Sequence, residues 1–267
     1  MRIGKKIVAL FMCLALFASL ITIGVWAVTD TNFKVTGDIN YSAPEKFSHE
    51  FVYYDETNNY YYLEMGTYGG NAVRWRYVSS DGETKFEPSS TNYPVTTTGS
   101  KGYFILETVT TSKQFHSSST DYSISSLRTY LTGTSSGSFI NDLGISTTNT
   151  IYKKITARAI SELAVNGNYN SNNLSDSSYS STSGSDKFWE PSVKELYTMV
   201  AGGAVSNSYI NWTDDLKNNI KWDSFYWTRS FNRALASGIV SITTAVSVMA
   251  TPVSQSLAVR PMFCLTF

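Results

Sequence analysis

Cysteine and histidine are almost missing from this chain: among 267 residues it holds only Cys13, Cys264, His49 and His116. The two histidines stand far apart, with phenylalanine and serine nearby, so no zinc set of three or four nitrogen and sulfur donors can be assembled. A serine triad would need one of the same histidines, and no serine is read as sitting on a nucleophile elbow of the G-x-S-x-G kind. Net charge is missing too, since 21 basic residues balance 21 acidic ones. Three of the basic ones, Arg2, Lys5 and Lys6, stand at the very start, which leaves the rest slightly acidic and with nothing to offer a nucleic-acid backbone.

Long apolar runs are scarce as well, with one exception. Behind those three cations, residues 7–28 carry no charge, which reads as an export signal with cleavage after Ala27 in "VWA". The run is also long enough to cross a bilayer, so an uncleaved membrane anchor is the other reading. Cys13 lies mid-run behind bulky Phe11 and Met12, which argues against lipidation. Without residues 1–27 the sole cysteine is Cys264, and no intrachain disulfide can form. About 240 residues then remain, enough for one sizeable core and short for two. The expected layout is a signal or anchor at 1–27, an extended connector at 28–46 and a single domain at 47–267. Residues 24–41, "GVWAVTDTNFKVTGDINY", resemble the leaders of small secreted and biofilm-matrix proteins of Gram-positive bacteria, which implies a secreted or cell-surface location.

What the chain does have is aromatic residues, 18 Tyr, 14 Phe and 6 Trp, many of them in alternating runs. "FVYYDETNNYYYLEMG" from Phe51 is two such runs split by Asp55–Asn59, a hairpin signal. "AVRWRYVSSDGETKF" puts Val73, Trp75 and Tyr77 on one face and Arg74 and Arg76 on the other, with a turn at Ser80–Gly82, and "GYFILETV" from Gly102 adds a strand. Asp121 or Ser123 then caps a helix with Ile124, Leu127, Tyr130 and Leu131 in one stripe, ending at Gly133. Ile151, Ile155 and Ala159 recur every four residues and are read as a second helix. Residues 166–186 are polar and of low complexity, read as a surface loop that holds no single shape. "DKFWEPSVKELYTMVAGG" from Asp186 is the clearest helix, with Pro191 in its first turn, Glu190 near its positive end and Gly202 as its stop. Residues 204–224 read as irregular, and four strands follow: "FYWTRSF", "LASGIVSI", "AVSVMAT" and "LAVRPMFCLTF".

Six of these pieces occur in an order that resembles a known family. They are "GTY" at Gly66, "WRYV" at Trp75, "SSLRTYL" at Ser125, "PSVKELY" at Pro191, "WTRS" at Trp227 and "VRP" at Val259. Together they resemble uncharacterised secreted bacterial domains distantly related to the formylglycine-generating-enzyme and C-type-lectin-like folds, over roughly residues 47–267. The resemblance implies an α+β domain of mixed antiparallel sheets, two or three helices and long irregular loops. It also implies that the closing strand pairs with an early one and that Arg229 and Arg260 lie on adjacent central strands. Formylglycine-generating chemistry uses a pair of cysteines, and Cys264 alone cannot supply it.

The candidate chemistry is sparse. Arg229 and Arg260 stand among aromatic and branched apolar residues and are read as core arginines stacked on Trp227 or Trp75, their donors satisfied by carbonyls or a carboxylate; an anion clamp is the alternative. Carboxylates for glycoside hydrolysis could be drawn from Glu190, Glu195, Asp214, Asp215 and Asp223, although carboxylates at helix starts and on loops are usually solvated. Calcium is a minor reading on Asp176, Asp186, Asn211, Asp214 and Asp215, with no EF-hand spacing to support it. The richest surface is Tyr209, Asn211, Trp212, Asp214, Asp215, Trp222 and Asp223, where flat rings alternate with amides and carboxylates as sugars and protein interfaces require. The same tryptophans would equally plug a core. The expectation is a non-enzymatic, surface-exposed module that binds a glycan or cell-surface protein through loops, without a cofactor. It touches a membrane only through an uncleaved residues 1–27. The runner-up is a structural or matrix component of the cell envelope, and an unrecognised enzyme comes third.

Overall fold

Alternation builds the first sheet. β1 (Tyr53–Asp55) and β2 (Tyr60–Tyr68) form an antiparallel hairpin whose turn is made by Asn59, at a left-handed φ of 53°, and by Asp55, which accepts from the Asn58 N–H at 3.0 Å. β3 (Asn71–Ser79) pairs with β2 and buries Val73, Trp75 and Tyr77, as a period of two dictates. β4 (Lys101–Leu106) pairs with β3, and β13 (Met262–Thr266) pairs with β4, so the order is β1-β2-β3-β4-β13, antiparallel throughout. The computed structural model describes residues 52–55, 57–89, 92–108, 110–160, 164–168, 171–175, 184–205, 209–220, 222, 224–232, 238–242 and 248–267. The expected signal at 1–27 and connector at 28–46 lie outside the described residues.

The second sheet is mixed. β5 (Ser112–Gln114) pairs with β12 (Ser256–Ala258), which meets β9 (Tyr226–Asn232) in parallel. β10 (Gly238–Ile242) and β11 (Val248–Pro252) extend one side of β9. On the other side β6 (Ala164–Asn168) runs parallel to β9 and continues into β7 (Ser171–Ser175) and β8 (Tyr209–Asn211). Residues 166–168 and 171–175 of the expected shapeless loop at 166–186 therefore belong to the two strands of a hairpin. Its backbone is satisfied by ladder bonds to β9 and β8, which a composition argument about apolar area does not register.

The helices are short. α1 (Ser126–Thr132) starts at Ser125, whose side chain accepts from the Arg128 N–H at 3.0 Å, and ends at Gly133. Asp121 instead caps a 3-10 turn at Tyr122–Ile124, which rotates Ile124 off the buried stripe and leaves it 61% exposed. α2 (Phe139–Asp142) follows. The expected helix through Ala159 is only α3 (Thr150–Lys154), capped by Asn149. The chain then straightens because Ile155 bridges Leu265 and the Thr156 N–H donates to the Cys264 carbonyl at 2.8 Å, so pairing at the sheet edge overrides the four-residue spacing. α4 (Val193–Glu195) opens with a capping box between Ser192 and Glu195, runs on as a π-helix at Leu196–Ala201, and stops at Gly202 with a φ of 88°. α5 (Asp214–Ile220) lies in a region expected to be irregular; Thr213 caps it, with Asp214 and Asp215 in its first turn.

The two sheets and these helices share one aromatic core. Trp75 meets Phe139, Phe188 and Phe263 with ring centroids 6.0, 5.6 and 4.9 Å away, and Phe104 stacks on Phe263 at 5.2 Å. Trp227 packs on Phe115 and donates its Nε1–H to the Lys113 carbonyl at 2.7 Å. Cys264 is buried, and burial raises its thiol pKa, so it is a packing residue. Among the described residues no helix is long and apolar enough to cross a membrane.

Candidate functional site

The segment expected to present aromatic plates turns them inward. Trp212 and Trp222 are 4% and 5% exposed. Trp222 donates its Nε1–H to the Glu107 carbonyl at 2.7 Å and meets Tyr226 edge-on, while Trp212 meets Tyr197 edge-on at 5.0 Å. Neither ring offers a face to a sugar. Tyr209 is placed by its backbone, opposite Asn173 in the β7–β8 ladder, and Asp223 lies outside the described residues. Asn211, Asp214 and Asp215 are exposed, with Asp214 beside Lys217 at 3.5 Å. Rings and polar groups alternate here because an amphipathic β8–α5 segment lies on the core, and the structure does not gather the expected set into one surface.

The two arginines are buried and paired. Arg260 stands in the break between β12 and β13 rather than on a strand, where Pro261 cannot donate to a ladder. Its Nε, Nη1 and Nη2 donate to the Leu106 carbonyl at 3.1 Å, the Ile220 carbonyl at 2.8 Å and Glu107 Oε1 at 3.1 Å. Its guanidinium lies over Trp222 and Tyr226, with centroid distances of 5.0 and 4.9 Å, and not over the expected Trp227 or Trp75. Arg229, on β9, donates to the Glu190 carbonyl at 2.7 Å and pairs with Glu195. Glu190 is not a solvated helix-start carboxylate: it is fully buried, its Oε1 accepts from the Arg260 N–H at 3.2 Å, and its Oε2 has no partner. Desolvation pushes its pKa well above the usual carboxylate range, against the opposing pull of Arg260 and Arg229.

Arg229 and Glu195 also belong to the wall of an open cleft of about 680 Å³. One side is the turn after β3, where Asp81 accepts from Ser79 Oγ, the Glu83 and Thr84 N–H groups and Thr84 Oγ1 at 2.8, 2.8, 2.8 and 2.6 Å. Burial works upward on Asp81, but these bonds outweigh it and hold the carboxyl far below its ordinary pKa. Gly82, at a φ of 81°, lies so near Tyr103 that an added Cβ would sit 2.7 Å from the ring. The opposite side is the start of α4 and residues 202–205. There the Gly203 N–H donates to the Tyr197 carbonyl at 2.8 Å, and a Cβ on Gly203 would sit 2.3 Å from the Tyr197 ring. Arg158 completes the wall.

Charge within the cleft is mostly paired. Lys85 binds Glu87 at 2.7 Å, and Glu195 accepts from the Ser192 N–H at 2.8 Å besides meeting Arg229. Desolvation raises the Glu195 pKa, but Arg229, Ser192 and the more distant charge of Arg158 together lower it below the ordinary value. A smaller cleft of about 130 Å³ borders Tyr60, Arg76 and Asn219, where Arg76 is already held by Glu107 at 2.8 Å and the Asn219 carbonyl at 3.1 Å.

Other chemistry finds little support in these positions. The spelling G-x-S-x-G does occur, at Gly133–Gly137, but it joins α1 to α2 instead of turning a strand into a helix. His116 Nδ1 accepts from the Ser118 and Ser119 N–H groups at 3.1 and 2.9 Å, which closes a turn. Asp186, a proposed calcium ligand, is buried in a two-pronged pair with Arg128 at 2.7 and 3.0 Å; Asp176 lies outside the described residues. Among the described residues no group of three or more His, Cys, Asp or Glu could hold a metal ion.

Sequence reasoning missed Lys85, Arg158, Ser192 and Lys194, all of them in the cleft wall. The available signals were the tight turn "SSDGETK" and the double glycine after α4, two bends that face each other only in the fold. Comparison with protein-family models, curated proteins and solved structures returns no match.

Proposed function

We propose that this chain is an exported, cell-surface recognition module of C-type-lectin-like architecture that binds a glycan or protein ligand through loops and catalyses no reaction. The cleft between the Gly82–Glu87 turn and residues 202–205 is the observation that carries the reading. Its volume falls within the range of roughly 300–1,000 Å³ usual for ligand sites, and its bends are fixed by Asp81 and by the Gly203–Tyr197 contact, so it stands preformed. The non-enzymatic part draws on Glu195, since a carboxylate held ionised by Arg229 and Ser192 is a poor proton donor. The six motifs in family order and the pairing of β13 with β4 support the lectin-like architecture, and residues 7–28 support export.

The test is a glycan-array and cell-wall pull-down screen of the full chain, with and without calcium, beside Ala204→Trp, which fills the mouth of the cleft from an exposed position. Saturable binding that Ala204→Trp abolishes without lowering the melting temperature is the expected result. Binding indifferent to this substitution would move the site elsewhere. Self-association of a folded protein that captures nothing would favour the envelope-component reading.

A further inference from the structure

We propose that the cleft takes a saccharide bearing a carboxylate, with Arg158 as the anchor for that group; the proposal rests on the recognition reading above and names its ligand class. The position of Arg158 is fixed before any ligand arrives. Its backbone N–H and carbonyl exchange bonds with Asp186 at 3.1 and 3.3 Å, and the Asp186 carboxylate is itself locked by Arg128. Its guanidinium lies over Trp189 and Tyr103, with centroid distances of 5.1 and 5.7 Å. The guanidinium also donates to the Tyr103 hydroxyl, and stacking uses only its faces, so its remaining in-plane N–H groups suit a planar oxyanion, which a carboxylate matches in two-pronged fashion.

The charge balance of the wall points the same way. Arg229 has Glu195 and Lys85 has Glu87, whereas among the described residues no carboxylate lies within ion-pair distance of Arg158 or Lys194. Glu83 is the one carboxylate of the wall outside those pairs, so the two cations exceed it by one charge. Glu195 is close enough to feel the charge of Arg158 but is held by Arg229 and Ser192. The rest of the wall suits a hydroxylated ligand better than a peptide. Thr84, Ser192 and Thr198 bring hydroxyls and the charged residues bring both donors and acceptors, while Ala204 and Val205 are the only apolar side chains, too few to receive peptide side chains.

The experiment is a calorimetric titration of the full chain with a short oligogalacturonate and with its methyl ester, which has the same rings and hydroxyls but no charge. The acid should bind about tenfold more tightly than the ester, and the difference should shrink as salt is added. Arg158→Gln should erase the preference. Because that substitution could also loosen the Trp189 stack, Lys194→Ala, at an exposed position, provides a second reading: it should weaken the acid severalfold and leave the ester unchanged. Equal binding of acid and ester, or a preference that survives in folded Arg158→Gln, overturns the inference and leaves the recognition reading standing. Failure of the folded chain to bind either form also overturns it, and the recognition reading is then decided by the cell-wall screen.

Discussion

Replacing Arg260 by alanine should be among the most damaging single changes in this domain. The side chain is fully buried, donates to two backbone carbonyls and one carboxylate, and lies over the rings of Trp222 and Tyr226. Truncation leaves the Leu106 and Ile220 carbonyls without these donors in a place water does not reach, and it opens a void beside two large rings. Glu107 keeps Arg76 at 2.8 Å, so the loss is less than that of an isolated buried charge. Breaking a buried pair of this kind costs about 3–5 kcal/mol. For a domain of this size each kcal/mol lowers Tm by about 2–4 °C, so a fall of roughly 6–20 °C is expected. Urea unfolding followed by tryptophan fluorescence gives the free energy directly, with Arg260→Lys as control because one ammonium cannot serve three divergent acceptors. A change below about 1 kcal/mol at unchanged m-value would show that the guanidinium is replaceable and refute the bracing role.

Two further outcomes follow from the same network. Asp186→Asn keeps the shape but removes the charge opposite Arg128; it should cost roughly 3–5 kcal/mol in urea unfolding, and a near-neutral result would mean water screens the pair. Glu190→Gln should alter the pH dependence of stability. A carboxyl with a raised folded pKa binds its proton more tightly in the native state, so its contribution is complete below the unfolded value of about 4.3 and is lost as pH rises toward the folded value. Urea midpoints of the variant should therefore fall less between pH 4.5 and neutrality than those of the parent, on the order of the span set by those values; parallel curves would refute a native-state proton on Glu190. Glu195 has the opposite sign, since its lowered pKa adds stability above the unfolded value that is lost as pH falls through the folded one.

How much of this was legible beforehand depended on range. β1, β2 and β3 could be read because a period of two and the Asp55–Asn59 turn are local, whereas the cap of α1 was misread: Asp121 or Ser123 was expected and Ser125 serves. The α4 helix and its stop at Gly202 could be read, but its start was set too early: Pro191 precedes the Ser192 cap instead of lying in the first turn, and Glu190 was misplaced because Arg260 and Arg229 arrive from β12–β13 and β9. Trp212 and Trp222 were ambiguous for a physical reason: a ring beside amides and carboxylates looks alike on a binding face and on the buried stripe of an amphipathic segment. Arg158 gave no signal at all, since the rings it rests on, Trp189 and Tyr103, are remote in the chain.

The pairing of β13 with β4 matters for the order of assembly. Met262 opposes Ile105, and the same strand is bridged by Trp189 and, through Leu265, by Ile155. Contacts between segments so distant in sequence slow folding, because the intervening chain must be confined before any reward arrives. During synthesis the early hairpins can form as they emerge, but the space beside β4 stays vacant until β13 leaves the ribosome. The first sheet therefore closes only after β13 has been made, so its last pairing is also its latest.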